Sequence, residues 1–179
     1  MNRAVFLDRD GTLIEDRDYL CRPEDVRIFS GTGKALCRLI LAGFELFIVS
    51  NQSGVGRGYF TMSDVQRVNE RLIRDLAEEN VRFKKIYVAP EAPDVPSYGR
   101  KPSPQFLLDA QKEFSLDLSQ SFMIGDKLID LECGWNAGVK KSILVRTGYG
   151  AELELSRPDE LTRAWVVDNL SAAADRILG

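Results

Sequence analysis

The chain has 179 residues, 44% of them hydrophobic and 28% charged, which is enough to bury a core and is ordinary for a globular protein. Its net charge of −3 offers no basic surface to nucleic acid, and no apolar run approaches the ~20 residues that span a bilayer. The absence of histidine excludes Ser-His and Cys-His nucleophile systems and leaves acid–base chemistry to Asp, Glu, Lys, Tyr or Cys.

Short β-type runs alternate with helical patterns along the chain. The first run, Ala4–Leu7, indicates a strand, and Gly31–Gly43 has apolar residues at helical spacing before a terminal glycine. The elements predicted after these are a strand over Phe44–Val49, a helix over Thr61–Asn80 capped by Thr61 or Ser63, a strand over Lys85–Ala89, a helix from N-cap Ser103 and Pro104 to Phe114, a strand over Ser121–Gly125, a helix over Asp126–Gly138, strands over Ser142–Val145 and Ala164–Val167, and a helix over Leu170–Leu178.

Apolar strands separated by helices favour a parallel sheet covered on both faces. The predicted fold is a three-layer α/β/α, Rossmann-like arrangement with a mostly parallel central sheet and no large cap domain. We expect one domain over residues 1–179. The long irregular stretch 89–104 holds five of the seven prolines, and loops of this length are usually functional or mobile.

Polar residues follow the ends of the predicted strands. In parallel sheets these ends meet at one edge, where ligands bind. The residues expected there are Asp8, Asp10 and Thr12 after the first strand, Ser50 and Asn51 after the second, Arg100 and Lys101 after the Pro-rich loop, and Asp126, Lys127 and Asp130 after Ser121–Gly125. Two like charges ~4 Å apart cost about 4 kcal/mol at an effective dielectric near 20. The set therefore suits a divalent cation such as Mg²⁺, together with phosphate.

Each of these features also has a simpler interpretation. Asp8 and Asp10 could be a solvated turn or a calcium loop, although an EF-hand has its glycine at the sixth position and Gly11 is fourth. The stretch 53–58, SGVGRG, could be a flexible loop, and it lacks the GK[ST] ending of a nucleotide-binding P-loop. Lys101 alone could be a surface lysine, and Asp126 an N-cap.

Four motifs occur in order along the chain: DRDGT at 8–12, Ser50 in VSN, Lys101, and GDKLID at 125–130. In this set the chain resembles the haloacid dehalogenase (HAD) superfamily of phosphohydrolases. The stretches DRDGTLI, SNQSGVGRGYF and RKPSP are similar to the family of D-glycero-D-manno-heptose 1,7-bisphosphate phosphatases and their histidinol-phosphatase relatives. The resemblance runs nearly end to end.

This resemblance implies a Mg²⁺-dependent phosphatase that acts on a sugar phosphate, most simply the heptose 1,7-bisphosphate. Asp8 would be the nucleophile that forms an aspartyl-phosphate, and Asp10 the general acid and base. Ser50 and Lys101 would hold the transferring oxygens. Mg²⁺ would be bound by Asp8, Asp126 and the backbone carbonyl of Asp10, with Asp130 supporting these ligands.

The resemblance also implies contacts to the rest of the substrate. The residues expected to make them are Asp16, Tyr19, Asn51, Gln52, Ser53, Arg100 and Lys127. Arg57 either binds a second phosphate or faces solvent. The chain departs from the family at its zinc loop, where the positions of the usual cysteines and histidine hold Ala89, Glu91, Ser97 and Gly99, so zinc is not expected.

Other functions stay open at this point. Histidinol phosphate is the chief competing substrate, and a phosphatase acting on polynucleotide ends is related by motif. A non-turnover phospho-Asp signalling module is less consistent, because the middle strand ends in SNQSG without an aspartate. We expect a monomer in the cytoplasm that binds neither nucleic acid nor a membrane.

Overall fold

The computed structural model describes residues 1–179, with six strands and seven α-helices. The strands are β1 (Arg3–Leu7), β2 (Phe44–Asn51), β3 (Lys85–Ala89), β4 (Phe122–Gly125), β5 (Lys141–Val145) and β6 (Trp165–Val167). The helices are α1 (Thr32–Leu41), α2 (Ser53–Gly56), α3 (Met62–Ala77), α4 (Gln105–Phe114), α5 (Leu128–Ala137), α6 (Gly150–Ser156) and α7 (Leu170–Leu178). Short 3₁₀-helices cover Pro23–Asp25, Leu118–Gln120 and Pro158–Leu161. No helix has the length and apolar character needed to cross a membrane.

All six strands form one parallel sheet in the order β3-β2-β1-β4-β5-β6. β1 lies at the centre, between β2 and β4. The chain winds outward in opposite directions from these two neighbours, so a crevice opens at the carboxyl end of β1, where doubly wound sheets bind ligands. The predicted three-layer α/β/α fold is confirmed.

The core lies on both faces of the sheet, because each strand is apolar on both sides. In β1, Val5 and Leu7 pack into a cluster with residues of α1, α3 and α7, whereas Ala4 and Phe6 pack into a second cluster with residues of α4 and α5. This alternation follows from the two-residue period of a strand. Since both faces of β1 are buried, its carboxyl end is held rigidly.

Most predicted boundaries agree with the structure within a few residues, and Thr61 caps α3 through a capping box with Asp64. The predicted start of α4 was wrong: Pro104, not Ser103, occupies the N-cap position. The Ser103 hydroxyl donates to the carbonyl of Tyr98 at 2.9 Å and accepts from the Gln105 backbone N–H at 3.4 Å, which ties the helix start to the preceding loop. The short helices α2 and α6 were not predicted.

The Pro-rich segment contains neither helix nor strand from residue 90 to residue 104. Asn51, at the end of β2, fastens its last part. The Asn51 side chain donates to the Lys101 carbonyl at 3.1 Å and accepts from the Lys101 backbone N–H at 3.0 Å. This amide pairing brings Lys101 to the carboxyl edge of the sheet.

Candidate active site

A buried lysine lies between two buried carboxylates at the end of β1. Lys101 Nζ is 2.6 Å from Asp8 Oδ1 and 2.7 Å from Asp130 Oδ1. It also donates to the carbonyl of Val49 at 2.7 Å, so three oxygens surround the ammonium group. Burial alone would lower the pKa of Lys101, but the carboxylates of Asp130 and Asp8 overcome this effect and raise it. Lys101 is therefore a fixed cation beside Asp8.

Asp126 contributes a further buried carboxylate after β4. Its Oδ2 accepts from the backbone N–H of Tyr149 at 2.9 Å, whereas its Oδ1 is buried without a hydrogen-bond partner. Two glycines leave room for this carboxylate, since a Cβ on Gly11 or Gly148 would lie 2.2 Å from Asp126 Oδ2. Both have positive φ, at +85° and +57°, a region that favours glycine.

The carboxylates of Asp8, Asp126 and Asp130 form one cluster, in which one oxygen of each lies within 4.8 Å of the others. Burial, opposed by Lys101, raises the pKa of Asp8 to about 6. Burial and the charges of Asp8 and Asp130 raise the pKa of Asp126 to about 8. The metal-free cluster therefore carries more negative charge than its surroundings stabilise.

This cluster fits Mg²⁺. The ion prefers oxygen ligands, and Asp126, a member of the cluster, has a buried Oδ1 without a hydrogen-bond partner. Asp130 is already engaged, with Oδ1 beside Lys101 Nζ and Oδ2 accepting from the Lys127 backbone N–H at 2.9 Å. Asp8 and Asp126 are therefore the candidate ligands, and Asp130 is the candidate supporting residue.

Asp10 is held by two neighbouring side chains. Arg9 donates from Nε to Asp10 Oδ2 at 2.9 Å and from Nη2 to Asp10 Oδ1 at 3.1 Å. Gln52 Nε2 lies 2.9 Å from Asp10 Oδ2 and 2.7 Å from Ser50 Oγ. Ser50 is buried at the end of β2 and lines neither of the cavities described next.

Two adjoining cavities of about 250 Å³ each open at this edge of the sheet. Both are lined by Asp10, Asn51, Ser53 and Lys127. The first, here called the charged cavity, is also lined by Asp8, Arg100, Lys101, Ile129 and Asp130. The second, here called the polar cavity, is also lined by Asp16, Asp18, Tyr19, Leu20, Gln52, Gly54, Phe60 and Tyr149. One cavity suits a phosphate and the other a polar organic group.

Lys127 joins the two cavities. Its Nζ is 3.1 Å from Asp16 Oδ2 and 4.8 Å from the centre of the Tyr149 ring. Burial alone would lower the pKa of Lys127, but the charges of Asp126, Asp8 and Asp16 raise it. Lys127 therefore offers a cation to a ligand that spans both cavities.

Arg100 lines the charged cavity, and Arg57 is close enough for its charge to act on Arg100. Burial and the charge of Arg57 lower the pKa of Arg100. The Arg100 guanidinium donates to the Glu91 carbonyl at 3.2 Å, and the exposed side chain of Arg57 makes no hydrogen bond or ion pair. Two neighbouring guanidiniums without a carboxylate partner suit an anionic group of a ligand.

The four positions at which a zinc loop would hold its ligands do not fit zinc. Ala89 and Gly99 have no donor atoms, and a Cβ on Gly99 would lie 2.3 Å from the ring of Phe106. Ser97 and Glu91 bond to each other, with the Ser97 hydroxyl donating to Glu91 Oε2 at 2.7 Å. The Ser97–Glu91 hydrogen bond therefore joins the two sides of the 89–104 loop at the position where a zinc loop would hold its ion.

Comparison with known proteins agrees with this geometry. The sequence model of the polynucleotide kinase 3 phosphatase family matches residues 3–132, and a HAD-hydrolase-like model matches residues 98–173. The D-glycero-beta-D-manno-heptose-1,7-bisphosphate 7-phosphatase of Photorhabdus laumondii is 38% identical over 165 residues, which is 88% of either chain. The D-glycero-D-manno-heptose-1,7-bisphosphate 7-phosphatase of Chlorobaculum tepidum is 39% identical over 191 residues, covering 99% of this chain and 95% of that protein.

The chain belongs to the heptose bisphosphate phosphatase family of HAD hydrolases. Solved structures agree. The D,D-heptose 1,7-bisphosphate phosphatase from B. bronchiseptica, complexed with magnesium and phosphate, superposes with a TM-score of 0.90 at 29% identity over 98% of both chains. The Burkholderia thailandensis enzyme of the same name superposes with a TM-score of 0.73 at 28% identity over 99% of both chains. This HAD protein is therefore a phosphatase.

Several residues of this HAD phosphatase site were not predicted from the sequence. Arg9 donates hydrogen bonds to both Asp10 and Asn69. Tyr149 orients Asp126 through its backbone N–H. The sequence could not indicate the contact from Tyr149, because every residue except proline has a backbone N–H. Asp18 belongs to the segment 16–19 that was expected to contact the substrate, and it lines the polar cavity.

Proposed function

We propose that this HAD phosphatase removes the 7-phosphate of D-glycero-D-manno-heptose 1,7-bisphosphate with the help of Mg²⁺. The observation that carries the proposal is the buried Asp8 carboxylate, placed 2.6 Å from the Lys101 ammonium and within one cluster with Asp126. The relatives named above act on this substrate class by their names, and the two cavities match a phosphate joined to a polyol.

In the first step, an Asp8 carboxylate oxygen forms a bond to phosphorus while the bond from phosphorus to the sugar oxygen breaks. The electron pair of that bond goes to the sugar oxygen, which takes a proton from Asp10. The products of this step are an aspartyl-phosphate and the heptose 1-phosphate, which now has a free 7-hydroxyl. Lys101 stabilises the negative charge of the transferring oxygens, and Ser50 acts on them only indirectly, through the Gln52 side chain that it shares with Asp10.

In the second step, a water oxygen forms a bond to phosphorus and the bond from phosphorus to Asp8 breaks. The electron pair returns to the Asp8 carboxylate, and Asp10 takes a proton from the water. The sum is one water consumed and one inorganic phosphate released, with both carboxyl groups restored.

Mg²⁺ would be held by Asp8, Asp126 and the Asp10 backbone carbonyl, supported by Asp130. When bound, the ion offsets the repulsion between the phosphate oxygens and these carboxylates. Lys101 and Lys127 supply the remaining positive charge near the charged cavity.

Arg57 and Arg100 favour a bisphosphate over histidinol phosphate, which has a single phosphate. The transferred phosphate uses Asp8 and Lys101, so a second phosphate needs other cations. Asp16, Tyr19 and Gln52 line the polar cavity and can bind sugar hydroxyls, together with Asn51 and Ser53.

The test is a panel of substrates assayed for phosphate release with Mg²⁺: the heptose 1,7-bisphosphate, heptose 7-phosphate, histidinol phosphate and a 3′-phosphorylated oligonucleotide. We expect the bisphosphate to have the highest kcat/KM. The substitution Arg57→Gln should lower kcat/KM for the bisphosphate by about 10-fold, chiefly through KM, and affect the 7-phosphate much less.

The matched control is Arg67→Gln, which changes an exposed arginine of α3 far from both cavities. A higher kcat/KM on histidinol phosphate or on the oligonucleotide would contradict the heptose assignment. An equal loss on bisphosphate and 7-phosphate would contradict the role of Arg57.

We also propose that the 89–104 loop needs no zinc, because the Glu91–Ser97 hydrogen bond closes it and Arg100 is attached to the same two residues. The purified chain should hold less than ~0.1 zinc per molecule, and a zinc chelator should leave its thermal midpoint unchanged. Stoichiometric zinc in elemental analysis would contradict this proposal.

A cytoplasmic, monomeric enzyme without nucleic-acid or membrane partners stays part of the proposal. The net charge of −3 and the small-molecule size of the cavities support the part of it that concerns nucleic acid. A single domain is also part of the proposal, since the proposed site is built from residues as far apart in the chain as Asp8 and Tyr149.

A further inference from the structure

Arg9, between the two acids of the DRDGT motif, is buried. It is 1% exposed and belongs to the largest fully buried side chains. A buried guanidinium is costly unless its donors are satisfied and its charge is paired. Its contacts therefore show what holds it in place.

Arg9 connects Asp10 to helix α3. Two of its N–H groups point to the two oxygens of Asp10, and Nη1 donates to Asn69 Oδ1 at 2.8 Å. Asn69 is buried on α3 and lines a groove separate from the charged and polar cavities. The Asn69 carbonyl thus fixes the plane of the guanidinium, and the guanidinium fixes the plane of the Asp10 carboxylate.

Counting acceptor sites distinguishes the two oxygens of Asp10. A carboxylate has about four lone-pair sites, two on each oxygen. Both sites on Oδ2 are used, one by Arg9 Nε and one by Gln52 Nε2. Oδ1 accepts only from Arg9 Nη2, at the longer distance of 3.1 Å, so one site on Oδ1 is free.

We propose that Arg9 is a positioning residue that presents Asp10 Oδ1 to the leaving oxygen, and that Asn69 positions Arg9. This rests on the proposed general acid and base role of Asp10. The proton passes from Asp10 Oδ1 to the sugar oxygen as its bond to phosphorus breaks, and a proton of water returns to the same atom in the second step. Arg9 and Asn69 exchange no proton and touch no substrate atom.

The test compares leaving groups. A sugar alkoxide must be protonated as it departs, whereas 4-nitrophenolate leaves without a proton. The kcat/KM value reports the steps up to release of the leaving group. A displaced Asp10 therefore slows the sugar phosphate and spares 4-nitrophenyl phosphate. Loss of folding or of Mg²⁺ binding slows both.

The variants are Asn69→Leu, which removes the acceptor at similar volume, and Arg9→Lys, which keeps the charge without the two-pronged contact. We expect kcat/KM for the heptose bisphosphate to fall about 10-fold in Asn69→Leu and about 100-fold in Arg9→Lys, with 4-nitrophenyl phosphate within about 3-fold of wild type. The matched control, Gln66→Leu, changes an exposed amide on the same helix and should leave both substrates unchanged.

Equal losses on both substrates, or no loss on the sugar phosphate, would overturn the proposal. Thermal midpoints show which variants fold, and the two variants provide independent tests. If the wild type does not hydrolyse the heptose bisphosphate, an alkyl phosphate that it does hydrolyse takes its place. The effect of each variant on kcat/KM is then compared between that alkyl phosphate and 4-nitrophenyl phosphate. The substrate assignment and the positioning role can therefore fail separately.

Discussion

The substitution Asp8→Asn is expected to abolish turnover, with kcat falling by about 10⁴-fold or more. The amide has the shape of the carboxylate but no anionic oxygen to attack phosphorus. Lys101 keeps Asp130 and the Val49 carbonyl as partners, so the fold should survive. The measurement is steady-state phosphate release, together with rapid-quench trapping of an acid-stable, alkali-labile phosphoryl-enzyme that forms in the wild type and not in the variant.

The matched control is Asp159→Asn, the same change at an exposed aspartate remote from the cavities, which should keep full activity. Mass spectrometry excludes deamidation of the new asparagine back to aspartate. Wild-type turnover by intact Asp8→Asn, or a phosphoryl group trapped on it, would contradict the nucleophile assignment.

Removal of magnesium is expected to make the stability of the protein fall as the pH rises. Asp8 and Asp126 titrate near 3.8 when unfolded, but their pKa values in the folded protein are raised to about 6 and about 8. Between these values the folded state binds protons that the unfolded state has released, so the free energy of unfolding falls with pH. We expect the metal-free thermal midpoint to drop by about 10–20 °C between pH 5 and pH 8. Added Mg²⁺ should restore it at pH 8 through binding to the folded state.

The substitution Asp126→Asn tests which residue causes this behaviour. It removes the buried charge while an amide oxygen can still accept from the Tyr149 N–H. At pH 8 the metal-free variant should be more stable than the metal-free wild type, with a flatter pH dependence, and Mg²⁺ should no longer raise its midpoint. Asp159→Asn again serves as the control and should follow the wild type. A variant with the slope and the Mg²⁺ response of the wild type would contradict the role of Asp126.

The sequence was sufficient to predict the sheet, because apolar strands and helical patterns alternate strongly from Ala4 to Leu178. It also predicted that Asp8, Lys101 and Asp126 meet, and in the structure they lie at one edge of the sheet. The prediction succeeded because the end of each strand can be located from the end of its apolar run. In a parallel sheet the carboxyl ends of the strands meet at one edge. Their catalytic roles stay predictions until the substitutions are made.

Other parts of the site could not be predicted, for identifiable physical reasons. Arg9 looks like a solvated residue in the sequence, since only the folded chain shows that Asn69 lies 2.8 Å from it. Ser103 was predicted as the helix cap, but local sequence does not show that its hydroxyl also donates to the loop carbonyl of Tyr98. Gln52 was expected to contact substrate, and in the structure it lines the polar cavity; its side chain also connects Ser50 to Asp10, a contact that the sequence did not indicate.

The carboxyl edge of the sheet is bordered by loops and by the short helix α2, with no inserted domain above it. A phosphoryl group on Asp8 would therefore be open to bulk water as soon as the sugar leaves. An enzyme that passes such a group to a second sugar must keep water away until the acceptor arrives, and this usually requires a closing lid. The uncovered edge thus suits hydrolysis. A mutase or sugar phosphotransferase built on this fold would need an added lid.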